Sequence, residues 1–230
     1  SGLSSQLSNQ LYREIEAGTS GPVAPAERAY YLGLTSQWSL DTQPGERYAY
    51  NNFGYILLAH IIEEVSGQSY IGYLNQAIFA PLGMRNTGYQ DSSSRVAEIY
   101  IDSDTMTGVQ LGSPPISEGS GNLYSTSEDL FLWDQALYTD QLLPRTELDR
   151  VFEPFVHQTE YPGFGYGYGW FVGEFQGHPV VLGAGGGIVY IALIIRYPQY
   201  HLTVIVLTNQ AHIDYFYIWG LISNELIGKE

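Results

Sequence analysis

The last third of this sequence constrains its fold most. From residue 166 onward, four strand-like runs follow one another, at 166–175, 179–182, 188–196 and 202–208, separated only by short turn-like stretches of Gly, Pro, Gln and His. Connections that short join antiparallel neighbours, because parallel strands need a crossover of a dozen residues or more. The run 188–195, IVYIALII, is apolar almost throughout, so both of its faces must be covered. A helix-length apolar stretch at 213–227 follows and is expected to lie on the sheet. The chain therefore reads as α+β, with helices first and a helix-backed antiparallel sheet at the end. The expected division places a mostly helical, loop-rich lobe at 1–160 and the sheet with its C-terminal helix at 161–230, within one domain overall.

In the first part, Gly18, Gly21, Pro22 and Pro25 punctuate short helix-prone stretches. A strong helix is predicted over about 53–66. Asn51 or Asn52 caps its start, Ile56, Leu57, Ile61 and Val65 supply an apolar face, and Gly67 ends it. Ser69 caps a second, shorter helix that should stop before Pro81. Residues 83–122 are turn-rich. Thr126 and Asp129 have capping-box spacing and open a helix through Leu130 and Trp133.

Composition removes several function classes. The chain has 230 residues, 44% hydrophobic and only 14% charged, which is enough apolar material for a packed core. Its formal net charge is −15, a field that repels phosphate backbones and anionic lipid, so nucleic acid and membrane surfaces are poor partners. There is no Cys, which excludes disulfides, thiolate chemistry and Cys-ligated zinc. No apolar run reaches the roughly 18–20 residues of a membrane span, and residues 1–5 show no basic stretch leading into an apolar one.

Several local patterns fail as motifs. Gly185–Gly187 is not a dinucleotide fingerprint, because Ile188 stands where the third glycine belongs and a strand follows. A P-loop needs Gly-Lys, and the single lysine is Lys229. His60 with Glu63 and Glu64 lacks the second His of a zinc helix, and Asp102-Ser103-Asp104 lacks the later ligands and glycine of a calcium loop. His157, His178, His201 and His212 leave a Ser/His/Asp triad formally open, but no Gly-x-Ser-x-Gly elbow accompanies them. Of the four, His178 is the one to follow, since it precedes the glycine-bearing strand.

Three segments, in order, carry a family resemblance. They are Pro44-Gly45-Glu46-Arg47-Tyr48-Ala49-Tyr50-Asn51-Asn52-Phe53-Gly54-Tyr55 with Pro81-Leu82-Gly83-Met84 after it, then Gly119-Ser120-Gly121-Asn122-Leu123-Tyr124-Ser125-Thr126, then Gly183-Ala184-Gly185-Gly186-Gly187 followed by a strand, a turn and Val204-Ile205-Val206-Leu207-Thr208-Asn209. Together they resemble the penicillin-binding-protein and serine β-lactamase family, in particular class C β-lactamases and type-B D-alanyl-D-alanine carboxypeptidases with their esterase relatives. The resemblance implies an acyl-transfer fold needing no metal or organic cofactor and acting on a small-molecule or peptide acyl substrate. Relatives of this kind usually act outside the cytoplasm.

The resemblance also implies roles. In the family a Ser-x-x-Lys motif supplies the nucleophile, a Tyr-x-Asn motif a proton shuttle, and a Lys- or His-x-Gly strand faces the substrate. Tyr50-Asn51-Asn52 matches the second, so Tyr50 is expected to shuttle the proton and Asn52 to orient its neighbours. Tyr73-Leu74-Asn75 also fits the pattern but lies in a predicted helix and reads as structural. A serine hydroxyl is a poor nucleophile, and a phenol takes its proton only beside a cation that stabilises the phenolate. This chain departs from the pattern twice. No Ser-x-x-Lys occurs, since the residue three before Lys229 is Leu226, and Ala184 stands where the His is expected. What remains of the third motif is a substrate edge at Ala184, Gly186 and Gly187, with Gly187 the expected oxyanion N–H donor. A tight turn or close backbone approach explains the same glycines equally well.

By this resemblance the chain corresponds to the C-terminal portion of the family fold, and by itself it is expected to be inactive. Three accounts stand: a piece of a longer hydrolase, a non-catalytic remnant that covers the gap by self-association or with a complementing N-terminal segment, or a rearranged fold.

Overall fold

A computed structural model of the protein describes residues 3, 33, 39–89, 96–97, 100–102, 105–106, 118–186, 190–210 and 213–226. Helix α1 spans Asn52–Ser66. Asn51, in an extended conformation, accepts the Gly54 N–H at 3.3 Å. At the other end Gly67 adopts a left-handed φ of 69° and donates to the Glu63 carbonyl at 2.9 Å. The buried face differs from the one expected. Phe53 and Ala59 are buried, whereas Ile61 and Val65 are 54% and 84% exposed. Periodicity finds an apolar stripe, but only packing partners decide which side is covered. Here the covered side is the one Gly119 approaches: at φ 89°, a Cβ on it would collide with the Tyr55 carbonyl oxygen.

Helix α2, Tyr70–Leu74, is capped by Ser69 as expected, and runs through a π-helical turn, Asn75–Phe79, into helix α3, Ala80–Leu82. The helical path therefore passes Pro81 instead of stopping before it. Proline clashes with the carbonyl four residues back in a regular α-helix. The π-turn loosens that spacing, with Ala80 N–H donating to the Asn75 carbonyl five residues back. Strand β1, Gly88–Tyr89, strands β2, Tyr100–Asp102, and β3, Thr105–Met106, and strand β4, Leu123–Tyr124, form two small antiparallel pairs, β1 with β4 and β2 with β3.

Helix α4, Ser127–Ala136, starts at Thr126, whose side chain accepts the Asp129 N–H at 3.2 Å. The buried Asp129 carboxylate binds the Asn86 N–H and the Thr87 hydroxyl, both at 2.7 Å, and so ties the loop before β1 to α4. A short helix α5, Arg145–Val151, follows.

The sheet is a five-stranded antiparallel meander in sequence order: β5 Phe164–Tyr166, β6 Phe171–Phe175, β7 His178–Gly186, β8 Ile191–Tyr197 and β9 Leu202–Thr208. The expected run at 166–175 is two strands, because Gly169 at φ 85° turns the chain between them. Strand β7 is longer than expected and carries the glycine run into the ladder as far as Gly186. Glycine has poor strand propensity, but pairing of Gly183 with Ile194 through to Gly186 with Ile191 settles it. Helix α6, Tyr215–Leu226, closes the described chain.

Both faces of β8 are covered, as its apolar run requires. Leu193, Ile195 and Tyr197 pack with Val180, Leu182 and Val204 beneath Trp219 of α6. Ile194 points the other way, with Val181, toward Leu137, Leu148 and Trp170. Arg196, 2% exposed, is on that same face. Its Nε lies 2.5 Å from Oδ1 of the fully buried Asp134 on α4, and its guanidinium sits over the rings of Tyr138 and Phe152 at 4.5 and 5.1 Å. No helix among the described residues is long and apolar enough to cross a membrane.

Removing one member of this pair leaves a bare buried charge. Asp134→Leu is expected to cost about 3–5 kcal/mol in urea unfolding, and the double variant D134L/R196M to recover most of that loss.

Candidate active site

Tyr50 and Asn52 meet at the entrance to α1. The Tyr50 hydroxyl donates to Asn52 Oδ1 at 2.8 Å, and the Tyr50 ring is 69% exposed. The cap at Asn51 fixes where the helix begins, so the two side chains are held by the same backbone turn. Below them, an aromatic cluster fastens this segment to the sheet. The Tyr48 ring meets Tyr166 edge-on at 5.1 Å and lies 6.0 Å from Phe171. The Tyr55 and Tyr166 hydroxyls are 2.6 Å apart, linking α1 directly to β5. The Tyr48 hydroxyl donates to Glu160 at 3.1 Å.

These contacts shift two phenols. Burial pushes Tyr166 well above the ordinary tyrosine value, and its bond to Tyr55 adds to the shift. Burial also raises Tyr48, with the Glu160 charge acting the same way. Both are therefore held neutral and serve as scaffold.

Tyr50 opens onto a cleft of about 670 Å³ between residues 45–50 and 155–160. The far wall is anchored to the sheet edge, since Phe155 N–H donates to the Tyr166 carbonyl at 2.9 Å and Tyr166 N–H to the Val156 carbonyl at 2.7 Å. A 670 Å³ cleft is within the range that small ligands occupy.

The second group of expected site residues lies at the exposed end of β7. Ala184 pairs with Leu193 and Gly186 with Ile191, and both are exposed. The methyl of Ala184 offers no hydrogen bond. A Cβ at Gly186 would fall 2.5 Å from the Tyr190 carbonyl oxygen, so that position requires glycine for close backbone approach. Gly187 lies outside the described residues. The hydrogen bonds that define the two groups are local: Tyr50 to Asn52, and β7 to β8.

Among the described residues the histidines do not assemble around the glycine run. His178 begins β7 eight residues from Gly186, about 26 Å away along an extended strand, and its Nδ1 bonds the Tyr200 hydroxyl at 2.7 Å. His201 stacks on Tyr138 with ring centroids 4.6 Å apart. His157 lines the cleft, and His212 lies outside the described residues. His60 sits 3.9 and 3.7 Å from Glu63 and Glu64. Among the described residues no three His, Asp or Glu side chains gather to hold a metal ion.

Sequence reading missed Glu160 and Tyr166. Neither belongs to a motif, and their partners are 112 and 111 residues away, a separation at which no local pattern operates.

The fold is that of the penicillin-binding and serine β-lactamase class. The chain belongs to the beta-lactamase family, whose profile matches residues 1–222. It is 32% identical over 189 residues to penicillin-binding protein 4* of Bacillus subtilis (strain 168), covering 73% of this chain and 41% of the relative. To the D-alanyl-D-alanine-carboxypeptidase/endopeptidase AmpH of Escherichia coli (strain K12) it is 26% identical, covering 77% of this chain and 49% of the relative. The chain thus spans about half the length of these curated relatives. Among solved structures it resembles the octameric penicillin-binding protein homologue from Pyrococcus abyssi, with a TM-score of 0.78 and 25% identity over 98% of this chain and 53% of that one. The penicillin binding protein from Bacillus halodurans gives a TM-score of 0.72 at 28% identity, over 85% of this chain and 62% of that one.

The raised phenols lower the stability of the fold at alkaline pH. Unfolded tyrosine ionises near pH 10, while folded Tyr166 and Tyr48 hold their protons above that, so their contribution is complete below pH 10 and is lost as pH rises beyond it. The urea midpoint is expected to fall between pH 9.5 and about 11.5, and less steeply in Tyr166→Phe.

Proposed function

We propose that this chain forms part of a serine hydrolase that cleaves an amide or ester through an acyl-enzyme, with the Ser-x-x-Lys pair supplied by residues outside these 230. One observation carries the reading: the exposed Tyr50 hydroxyl bonded to Asn52 at 2.8 Å at the mouth of a ligand-sized cleft. Tyr50 receives the serine proton and returns it to the leaving group, and Asn52 holds the phenol in place. With the chain's −15 charge opposing a phenolate, the lysine cation is what makes that proton transfer feasible. Without it the chain is inactive. Gly187 is the proposed oxyanion N–H donor and Gly186 the residue that lets a substrate approach the strand.

Ala184 favours a second reading. A methyl where the family pattern has a donor weakens the transition-state contacts, as expected for a non-catalytic binding or self-assembling scaffold. The octameric homologue from Pyrococcus abyssi makes self-association a natural form for that role.

Intact-mass measurement with a fluorophosphonate or penicillin probe separates the two. The 230-residue chain by itself is expected to gain no adduct. Combined with the parent segment bearing Ser-x-x-Lys, it is expected to gain one, formed about 100-fold or more slowly in Tyr50→Phe. An adduct on the isolated chain would overturn the external nucleophile. No adduct on the complete parent would leave the scaffold reading.

A further inference from the structure

The exposed end of β7 is braced by a residue that belongs to none of the motifs, Tyr190. The β7–β8 ladder ends where Gly186 pairs with Ile191, so Tyr190 stands directly beyond the last rung. Its main chain lies against Gly186. The atoms nearest to a Cβ at Gly186 all belong to residues 190 and 191: the Tyr190 carbonyl oxygen at 2.5 Å, the Ile191 Cα at 3.2 Å and the Tyr190 carbonyl carbon at 3.5 Å. Only a glycine permits that approach, so the two backbones fix one another's position.

The side chain of the same residue holds a second segment. The Tyr190 hydroxyl donates to the Ala97 carbonyl at 2.7 Å, across 93 residues of sequence. Ala97 stands three residues before β2 begins at Tyr100, a chain distance of at most about 11 Å. The β2–β3 hairpin is thereby tethered to the glycine end of β7. Burial holds the Tyr190 phenol above its ordinary value, so it stays a protonated donor at neutral pH. A hydroxyl bonded to a loop carbonyl would by itself be a surface staple. Tyr190 does more, because its main chain backs the exposed edge at Ala184 and Gly186 while its hydroxyl grips a distant segment.

We propose that Tyr190 is a positioning residue for the substrate edge: it couples the end of β7 to the segment leading into the β2–β3 hairpin, and so sets how that edge is presented to an acyl substrate. The assignment rests on the hydrolase reading only in taking Ala184 and Gly186 as the substrate edge. The coupling itself is a property of the 230-residue chain. Tyr190 touches no reacting group, and its influence passes through Gly186.

Amide hydrogen exchange followed by mass spectrometry tests the coupling on the 230-residue chain without turnover. Tyr190→Phe removes the donor alone. It is expected to speed exchange about five-fold in peptides covering 183–191 and in those covering 96–106, with α4 and α6 unchanged. Gly186→Ala, which drives a Cβ into the Tyr190 carbonyl, is expected to speed exchange at 96–106 as well. Combined with Tyr190→Phe it is expected to add nothing there, because both act through one residue. Exchange at 96–106 that ignores Tyr190→Phe, or that responds to the two substitutions additively, would sink the coupling; the Tyr190→Phe result decides alone if Gly186→Ala does not fold. On the complete parent, Tyr190→Phe is expected to lower the maximal rate of acylation by a penicillin probe about five- to ten-fold, with the half-saturating concentration within about two-fold of the original. An unchanged maximal rate, or a change in half-saturation alone, refutes the positioning role. Absence of any adduct on the unsubstituted parent removes the hydrolase reading instead, and the exchange result still decides the coupling.

Discussion

The ion pair between Arg196 and Asp134 organises the helical half of the molecule around the sheet. Two side chains with almost no exposure bring opposite charges together from β8 and α4, 62 residues apart in sequence. A buried guanidinium must be paired and hydrogen-bonded or its desolvation is ruinous. That requirement fixes the rotation of α4 as well as its distance. The Gln135 side chain bonds the second Asp134 oxygen at 3.0 Å, and the Tyr138 and Phe152 rings flank the guanidinium. Because Asp129 on the same helix holds Asn86 and Thr87, the position of α4 is passed on to the loop before β1.

The opposite face is organised by shape and by tyrosine hydroxyls. Trp219 of α6 donates to Tyr197 at 2.9 Å, and Tyr197 shares a 2.7 Å bond with Ser223, so the polar tips of an otherwise apolar layer are satisfied. The aromatic cluster then continues past the sheet edge through Phe171, Tyr166 and Tyr48 to the Tyr50–Asn52 turn. The candidate site is thus an extension of the core's edge. Its Tyr50 phenol faces solvent, while the neighbouring Tyr48 and Tyr166 are half-buried and held neutral.

Parts of this were legible in the chain itself. The meander, the doubly covered strand, the Asn51 cap, the Gly67 stop and the Thr126 cap all follow from local spacing and turn chemistry, and each is where those patterns place it. Tyr50 and Asn52 stand out in the sequence because a short motif precedes a strong helix, and they do share a hydrogen bond. Ile61 and Val65 are exposed and the glycines of β7 join a ladder because tertiary neighbours outweighed local preference, whereas Pro81 is passed by way of the π-turn that precedes it.

What the sequence determined by itself was the order of elements, the antiparallel character of the sheet and the absence of a Ser-x-x-Lys motif from these 230 residues, since these depend on periodicity, connection length and residue identity. Only the tertiary structure decided that Asp134 faces Arg196, that Glu160 holds Tyr48, and that Tyr55 meets Tyr166. Those pairs join positions 62 to 112 residues apart. Their partners are chosen by the geometry of the assembled layers, which no single stretch of chain encodes.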